Sequence, residues 1–338
     1  MSADRTVVVY GAYGHTARFV VAELLERGWI PVLSGRDADK LAALGDAFPG
    51  LERRQASVED PVSLDRALGG AMGVINCAGP FLDSATPMIE AALRARIHYL
   101  DVSAEQRAVL DVFERFSDAA KTAAVTVIPA MAFYGGLADL LATAALDDWP
   151  DADVIDIAVA LDSWHPTAGT RLTGARNYHR RLVVAGGRLE PLADPPQLRR
   201  WTFPAPFGMQ DMIELPFSEI VTLSRHVHSD EVHSYMNLVP LKDLRDPHTP
   251  PPTPTDAHGR SAQTFAVETR VRRRGQTRRA LALGRDIYAI TAPLVVEAMQ
   301  RIGDGRNKVI GVVAPGQAFD ARNFLESLPE LHLVFADE

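Results

Sequence analysis

The chain has 338 residues, 47% of them hydrophobic, with a formal charge of -8 and a pI near 5.7. That length exceeds one ordinary hydrophobic core and predicts two domains, while the acidic balance excludes a general nucleic-acid or anionic-membrane binder, which needs a net basic surface. Cys77 is the only cysteine, so an intramolecular disulfide and an all-cysteine metal site are excluded.

A reducing, cytoplasmic setting is expected. The start "MSADRTVVVYG" lacks the charged and apolar segments of a secretion signal, and no run of about 18 apolar residues occurs to span a bilayer. From residue 6 to about 131, β-type apolar runs alternate with helix-period segments, the pattern of βαβ units around a parallel sheet. The runs are "TVVVYG", "IPVLSGR", "LERRQASV", "GVINCAG", "IHYLDVS" and "VTVIPAM". Ala17, Val20, Val21 and Leu24 form one apolar stripe on the first helix, which stops at Gly28. Asp60-Pro61 and Thr86-Pro87 each read as a capping side chain before a proline at the first helical position.

Beyond about residue 150 the pattern changes to longer polar strands, "VIDIAVALDSW", "EIVTLSRHV" and "EVHSYMNLV". The prolines of residues 245 to 262 predict an exposed loop. A hairpin turning near Gly275 and an amphipathic helix in "DIYAITAPLVVEAMQRI" follow. The expected fold class is α/β. A Rossmann-type doubly wound parallel sheet occupies residues 1–131, and an α+β substrate or dimerisation domain on a mainly antiparallel sheet occupies 132–285. A C-terminal helix and tail, 286–338, pack back toward the first domain.

"GAYGHTA" places Gly11, Gly14 and Ala17 at G-x-x-G-x-x-A spacing between a strand and a helix. Gly11 permits the tight turn, Gly14 lets the backbone approach a pyrophosphate, and Ala17 allows close helix–strand packing. The helix start offers unpaired N–H groups to the phosphates, so Tyr13, His15 and Thr16 join these three as cofactor-binding positions. The next strand ends "LSGRD". Ser34, Gly35 and Arg36 stand where a hydroxyl and a guanidinium hold the 2′-phosphate of NADP, and Lys40 follows one turn on. Asp37 is left either to the ribose or to helix capping. NADP is preferred over NAD.

Taken together, "GAYGHTA", "LSGRDADKLAAL", "NCAGPF", "HYLDVSAE" and "VIPAMAFYGGLADLLA" resemble the saccharopine dehydrogenase-like family of NAD(P)-dependent oxidoreductases, over roughly residues 6 to 145, with a weaker echo in "GVVAPGQAF". The resemblance implies hydride transfer from a nicotinamide to an imine, carbonyl or enoyl bond of a small molecule between two domains, and a homodimer. It also implies cofactor contacts at Ser57, Val58, Cys77, Ala78, Gly79 and Pro80, and at Asp101 and Ser103 of the "Y-x-D-x-S/T-x-E" stretch. Relatives read "ACGFDSxPSD" where this chain reads "AMAFYGGLAD", so a charged contact is replaced by Tyr134 and an amino-acid substrate is disfavoured.

No tyrosine has a lysine four residues on, which removes the short-chain dehydrogenase dyad. Tyr134 on the "FYGG" loop is the leading proton-donor candidate, followed by Tyr99 with its neighbour His98, and by His165 in the polar stretch "SWHPTAGTRLTGARNYHRR". An enoyl reductase using "TFPAPFGMQDMIELPF" as an apolar pocket and a non-catalytic NADP(H) sensor are the alternatives. His226, His228 and His233 have no recognisable metal-ligand spacing, so no metal is expected. The arginines from Arg270 to Arg279 read as solvated residues of an edge strand.

Overall fold

The structure is a computed structural model describing residues 5–307 and 309–337. Its first half runs β1 (Thr6–Tyr10), α1 (His15–Glu26), β2 (Ile30–Gly35), α2 (Ala38–Ala43), β3 (Arg53–Gln55), α3 (Pro61–Leu68), β4 (Gly73–Asn76), α4 (Phe81–Ala95), β5 (His98–Asp101), α5 (Gln106–Ala123) and β6 (Thr126–Ile128). A short π-turn, Phe133–Leu137, then leads into α6 (Ala138–Leu146), β7 (Ala152–Leu161), α7 (Ala168–Arg176), β8 (Leu182–Ala185), β9 (Arg188–Pro191), β10 (Leu198–Thr202), β11 (Met209–Glu214), α8 (Ser218–Leu223), β12 (Ser229–Asn237) and α9 (Leu238–Arg245). The chain closes with β13 (Thr264–Arg273), β14 (Gln276–Arg285), α10 (Thr291–Gly303), β15 (Gly311–Val312), α11 (Pro315–Ala318), α12 (Ala321–Glu326) and β16 (His332–Asp337).

Side chains alternate along a strand, so Val7 and Val9 enter one buried core while Val8 and Tyr10 enter another. A strand buried on both faces needs helices on both. Here α1 and α10 cover one face, and α3, α4 and α5 the other. The strands lie in the order β15-β6-β5-β4-β1-β2-β3, and all pairs are parallel. The chain moves outward from β1 to β3, then restarts beside β1 with β4. The loops leaving β1 and β4 therefore diverge and open a crevice at the carboxyl ends of the strands.

The second sheet has the order β10-β11-β12-β7-β13-β14-β16, with β8 also pairing β12 and β9 pairing β8. Only β12 and β7 pair in parallel. Between the sheets, α6 packs on β13 and β14, and α10 packs on α1. Arg27 pairs with Glu297 across the latter contact, and Trp29 Nε1 donates to Gln300 Oε1 at 2.8 Å.

Asp60 caps α3 with Pro61 at its first position, as the sequence predicts. Other expectations are corrected. Thr86-Pro87 does not start a helix: α4 begins at Phe81, whose N–H donates to the Glu105 carboxylate at 2.9 Å, and Pro87 lies inside it. "EIVTLSRHV" is not a strand but contains α8, whose start is fixed by the Glu219 carboxylate accepting the Phe217 N–H at 2.9 Å. The helix predicted from Asp286 begins at Thr291, because the Asp286 carboxylate accepts the N–H groups of Tyr288, Ala289 and Ser261 and holds a turn there.

The arginine strands are not edges, since β13 lies between β7 and β14 and β14 between β13 and β16. Arg270 and Arg279 both donate to buried Glu268, and Arg272 pairs with buried Asp156. The histidines also separate. His226 follows α8 and meets Asp139 at 3.2 Å, while His233 on β12 sits 2.6 Å from Glu214 and 3.2 Å from Glu231.

The hydrogen bond to Glu214 holds the His233 proton and raises its pKa. A raised folded-state pKa stabilises fully below the unfolded value of about 6.5 and loses that contribution as pH rises through the folded value. We expect a pH series of Tm to decline across that window and His233→Gln to remove that part of the slope. Parallel curves for the two proteins would contradict this assignment.

Candidate functional site

The crevice between β1 and β4 is built by glycines. Gly11 has φ of 77°, and a Cβ there would lie 2.9 Å from Ala78 Cβ and 3.0 Å from the Ala78 backbone. A side chain would force the two loops apart. The Gly11 and Ala12 N–H groups both donate to Ser34 O, at 2.8 and 3.0 Å, and Gly14 N–H donates to Gly11 O at 2.8 Å. Helix α1 follows with Gly14 as N-cap, no side-chain cap and no acid in its first turn. Its first N–H groups and positive end thus remain for an anion beside Thr16, while Ala17 is fully buried against the sheet.

His15 lies at that helix start with its Nε2 buried and without a hydrogen-bond partner. Its ring meets the edges of Phe19 and Tyr288, each at 5.3 Å, and burial lowers its pKa, favouring the neutral imidazole. A glycine cradle, an uncapped helix and an unsatisfied polar atom fit the pyrophosphate of a dinucleotide.

At the adenosine end, Tyr13 lies across Gly35, its Cε1 2.7 Å from the place a Cβ would occupy. Lys40 Nζ is 5.6 Å from the Tyr13 ring centroid and 3.4 Å from Asp37. Asp37 caps α2 by accepting the Lys40 N–H at 3.0 Å. Arg36 is exposed and makes no ion pair among the described residues. Ser34 departs from expectation: it is fully buried and its hydroxyl donates to Arg54 O at 2.8 Å, turned away from any 2′-phosphate. Ser57 and Val58 lie half-buried after β3, where the Ser57 N–H donates to Ser63 Oγ at 3.0 Å.

On the nicotinamide side, burial raises the pKa of the Cys77 thiol and keeps it protonated. The Ala78 N–H donates to Asn76 Oδ1 at 3.0 Å, and Ala78 O accepts from Ser84 Oγ at 2.6 Å. Pro80 caps α4, and exposed Gly79 is roofed by α7, since a Cβ there would lie 2.9 Å from Thr173 Oγ1. Arg176 of α7 pairs with Asp83 at 2.6 Å. The expectation that Asp101 and Ser103 touch the nucleotide is corrected. Asp101 accepts from Ser103 N–H (3.0 Å), Ser103 Oγ (2.6 Å), Ala130 N–H (2.8 Å) and Tyr99 OH (2.8 Å), so both side chains are consumed in tying the ends of β5 and β6 together. Desolvation raises the Asp101 pKa despite these bonds.

The donor candidates separate clearly. Tyr99 is fully buried, its hydroxyl donating to Asp101 and accepting from Asn76 at 3.2 Å, so it is a positioning group closed to substrate. His98 is spent at the other end of β5, its Nδ1 accepting the Thr126 N–H at 3.0 Å. His165 lies outward, its Nδ1 3.2 Å from Pro250 O. Tyr134 projects into the junction between the sheets. Its ring stacks on Phe217 at 4.3 Å and tilts against Trp164 at 5.6 Å, and its hydroxyl is buried without a partner. Burial raises its pKa well above the ordinary value, so the phenol keeps its proton.

Sequence reasoning missed several residues of this junction. Tyr288 OH bonds Trp164 Nε1 (3.2 Å), the Thr167 N–H (3.3 Å) and Thr170 Oγ1 (2.9 Å). Glu219 is buried with one carboxylate oxygen unpartnered. The Arg181 guanidinium lies over Phe217 at 4.6 Å. Only the turn held by Asp286 could have signalled Tyr288; the others come from far along the chain.

This geometry defines a two-domain dinucleotide-binding protein, with its cofactor crevice facing a second sheet. The family model for the saccharopine dehydrogenase NADP binding domain matches residues 7–128. These residues are thus similar to the NADP binding domain of saccharopine dehydrogenases, and the cofactor they fit is NADP. The chain is 33% identical to cinnamoyl-CoA reductase 1 of Arabidopsis thaliana over 31% of its own length and 32% of that protein's. It is 27% identical to the saccharopine dehydrogenase-like oxidoreductase of Bos taurus over 40% of its own length and 35% of that protein's, so it matches about a third of these relatives. The structure of apo saccharopine dehydrogenase (L-Glu forming) from Saccharomyces cerevisiae shares the whole fold. Its TM-score is 0.69 at 13% identity, covering 98% of this chain and 99% of that one.

Proposed function

We propose that the protein is an NADP-dependent reductase that transfers hydride to a C=N bond, or a C=O bond, of a small organic substrate held between the domains. The unpartnered Tyr134 hydroxyl carries this reading, since a buried phenol without a hydrogen bond costs stability unless a ligand completes it. NADPH, when bound, supplies the hydride. Gly11, Gly14, the start of α1 and His15 hold its pyrophosphate, and Arg36 and Lys40 its 2′-phosphate. Tyr134 holds the proton for the substrate atom that gains negative charge, and the aromatic walls of Trp164, Phe217 and Tyr288 exclude water.

A cytoplasmic location and a homodimer belong to the same proposal. Among the described residues no helix is long and apolar enough to cross a membrane. The enoyl alternative gains no support from "TFPAPFGMQDMIELPF", because Trp201, Phe203 and Met212 close a core on one face of the second sheet. Loss of NADPH absorbance with a panel of imines, carbonyls and enoyl compounds tests the reading. Turnover of the imines or carbonyls supports it. NADPH binding with no turnover would replace it by the sensor.

A further inference from the structure

One cavity stands apart from the crevice. It has a volume of about 210 Å³ and lies between the start of α5 and residues 177–182, walled by Gln106, Arg107, Asn177, His179, Arg180 and Arg181. No carboxylate lines it. Whole small-molecule sites typically occupy roughly 300–1,000 Å³, so this space suits one chemical group rather than a complete ligand. Arg107 is partly neutralised by Asp111 and Glu114. Arg180 and Arg181 instead donate to carbonyl oxygens, those of Leu192 and Pro216, and form no ion pair among the described residues.

The Arg181 guanidinium is largely buried, its charge offset only in part by the Glu219 carboxylate with no ion pair between them, and burial lowers its pKa. The neighbouring structure nevertheless fixes it. Gln106 bonds the Leu182 N–H and the carbonyls of Leu182 and Phe217, at 2.8, 2.9 and 2.9 Å, bracing the wall. Arg181 covers Phe217, which stacks on Tyr134. The cavity is thus one aromatic ring away from the unpartnered phenol.

We propose that this cavity is a substrate subsite that takes an anionic group, a carboxylate or a phosphate, and so sets the distance between that group and the bond being reduced. The inference rests on the reductase reading for the role of the anion, though not for its binding. Planar guanidinium groups suit both oxyanions, through charge-assisted and often bidentate hydrogen bonds.

The test is calorimetric titration of the full chain at low ionic strength with inorganic phosphate and, separately, with malonate. With the phosphate sites of the crevice filled by saturating NADPH, one further site is expected, its Kd raised about 5-fold by Arg180→Gln and about 10-fold or more by Arg181→Gln. Arg180 is exposed, so Arg180→Gln decides the matter even where Arg181→Gln disturbs folding. A preference for phosphate or for malonate identifies the group. Absence of binding by either anion, or an affinity that both cavity variants leave unchanged, overturns the proposal. NADPH titration of Arg180→Gln separates the two readings: failure of the anion arm with NADPH bound removes only the subsite, whereas anion binding without NADPH binding removes only the reductase.

Discussion

Gly11→Ala is expected to abolish measurable NADPH binding and to lower stability by about 2–5 kcal/mol. The native φ of 77° is open to glycine but strained for alanine by roughly 1–2 kcal/mol. The new methyl group would also press on Ala78 backbone and Cβ atoms at 2.9–3.0 Å, and overpacking of this kind costs roughly 1–3 kcal/mol. The crevice would have to widen where the pyrophosphate lies. Urea denaturation reads the stability loss and fluorescence titration reads the binding. Gly14→Ala is the control, because Gly14 has an ordinary φ of -69° and its Cβ would meet Gly11 O at 3.1 Å. It should fold nearly as the wild type and still lose affinity. Unchanged NADPH affinity in a folded Gly14→Ala protein would sink the cradle assignment.

The second large effect falls on Tyr134. Tyr134→Phe should reduce turnover by roughly 10²- to 10⁴-fold, the usual contribution of a positioned general acid, with little change in NADPH affinity. The same substitution should leave stability unchanged or raise it by about 1–3 kcal/mol, since it removes a buried hydroxyl that has no partner. Tyr99→Phe should behave in the opposite sense, losing stability because its hydroxyl bonds both Asn76 and Asp101. Wild-type turnover in Tyr134→Phe would reduce this residue to an aromatic wall beside Phe217.

What was legible in the amino-acid sequence was local. The apolar run of β1, the stripe of α1 and the Asp60 cap are each fixed by neighbours within a few residues, and each stands as read. The start of α4 was not legible, because its first N–H is capped by Glu105, which lies 24 residues away. Ser34 looked like a phosphate ligand by position, yet its rotamer is set by the Arg54 carbonyl of the adjacent strand. The arginines of β13 and β14 looked solvated because their partners, buried Glu268 and Asp156, become visible only when the strands are in register. The junction was hardest to see, since Tyr134, Trp164, Arg181, Glu219 and Tyr288 come from five separate segments.

The cofactor crevice is tested most directly by an equilibrium titration of the wild-type protein and Arg36→Gln with NADPH and with NADH. The wild type is expected to bind NADPH more tightly than NADH. The variant is expected to lose 10- to 100-fold in NADPH affinity, about 1.4–2.8 kcal/mol, with NADH changed by no more than about twofold. Binding of neither nucleotide, or NADPH affinity untouched by the substitution, would contradict the assignment of this crevice to NADPH.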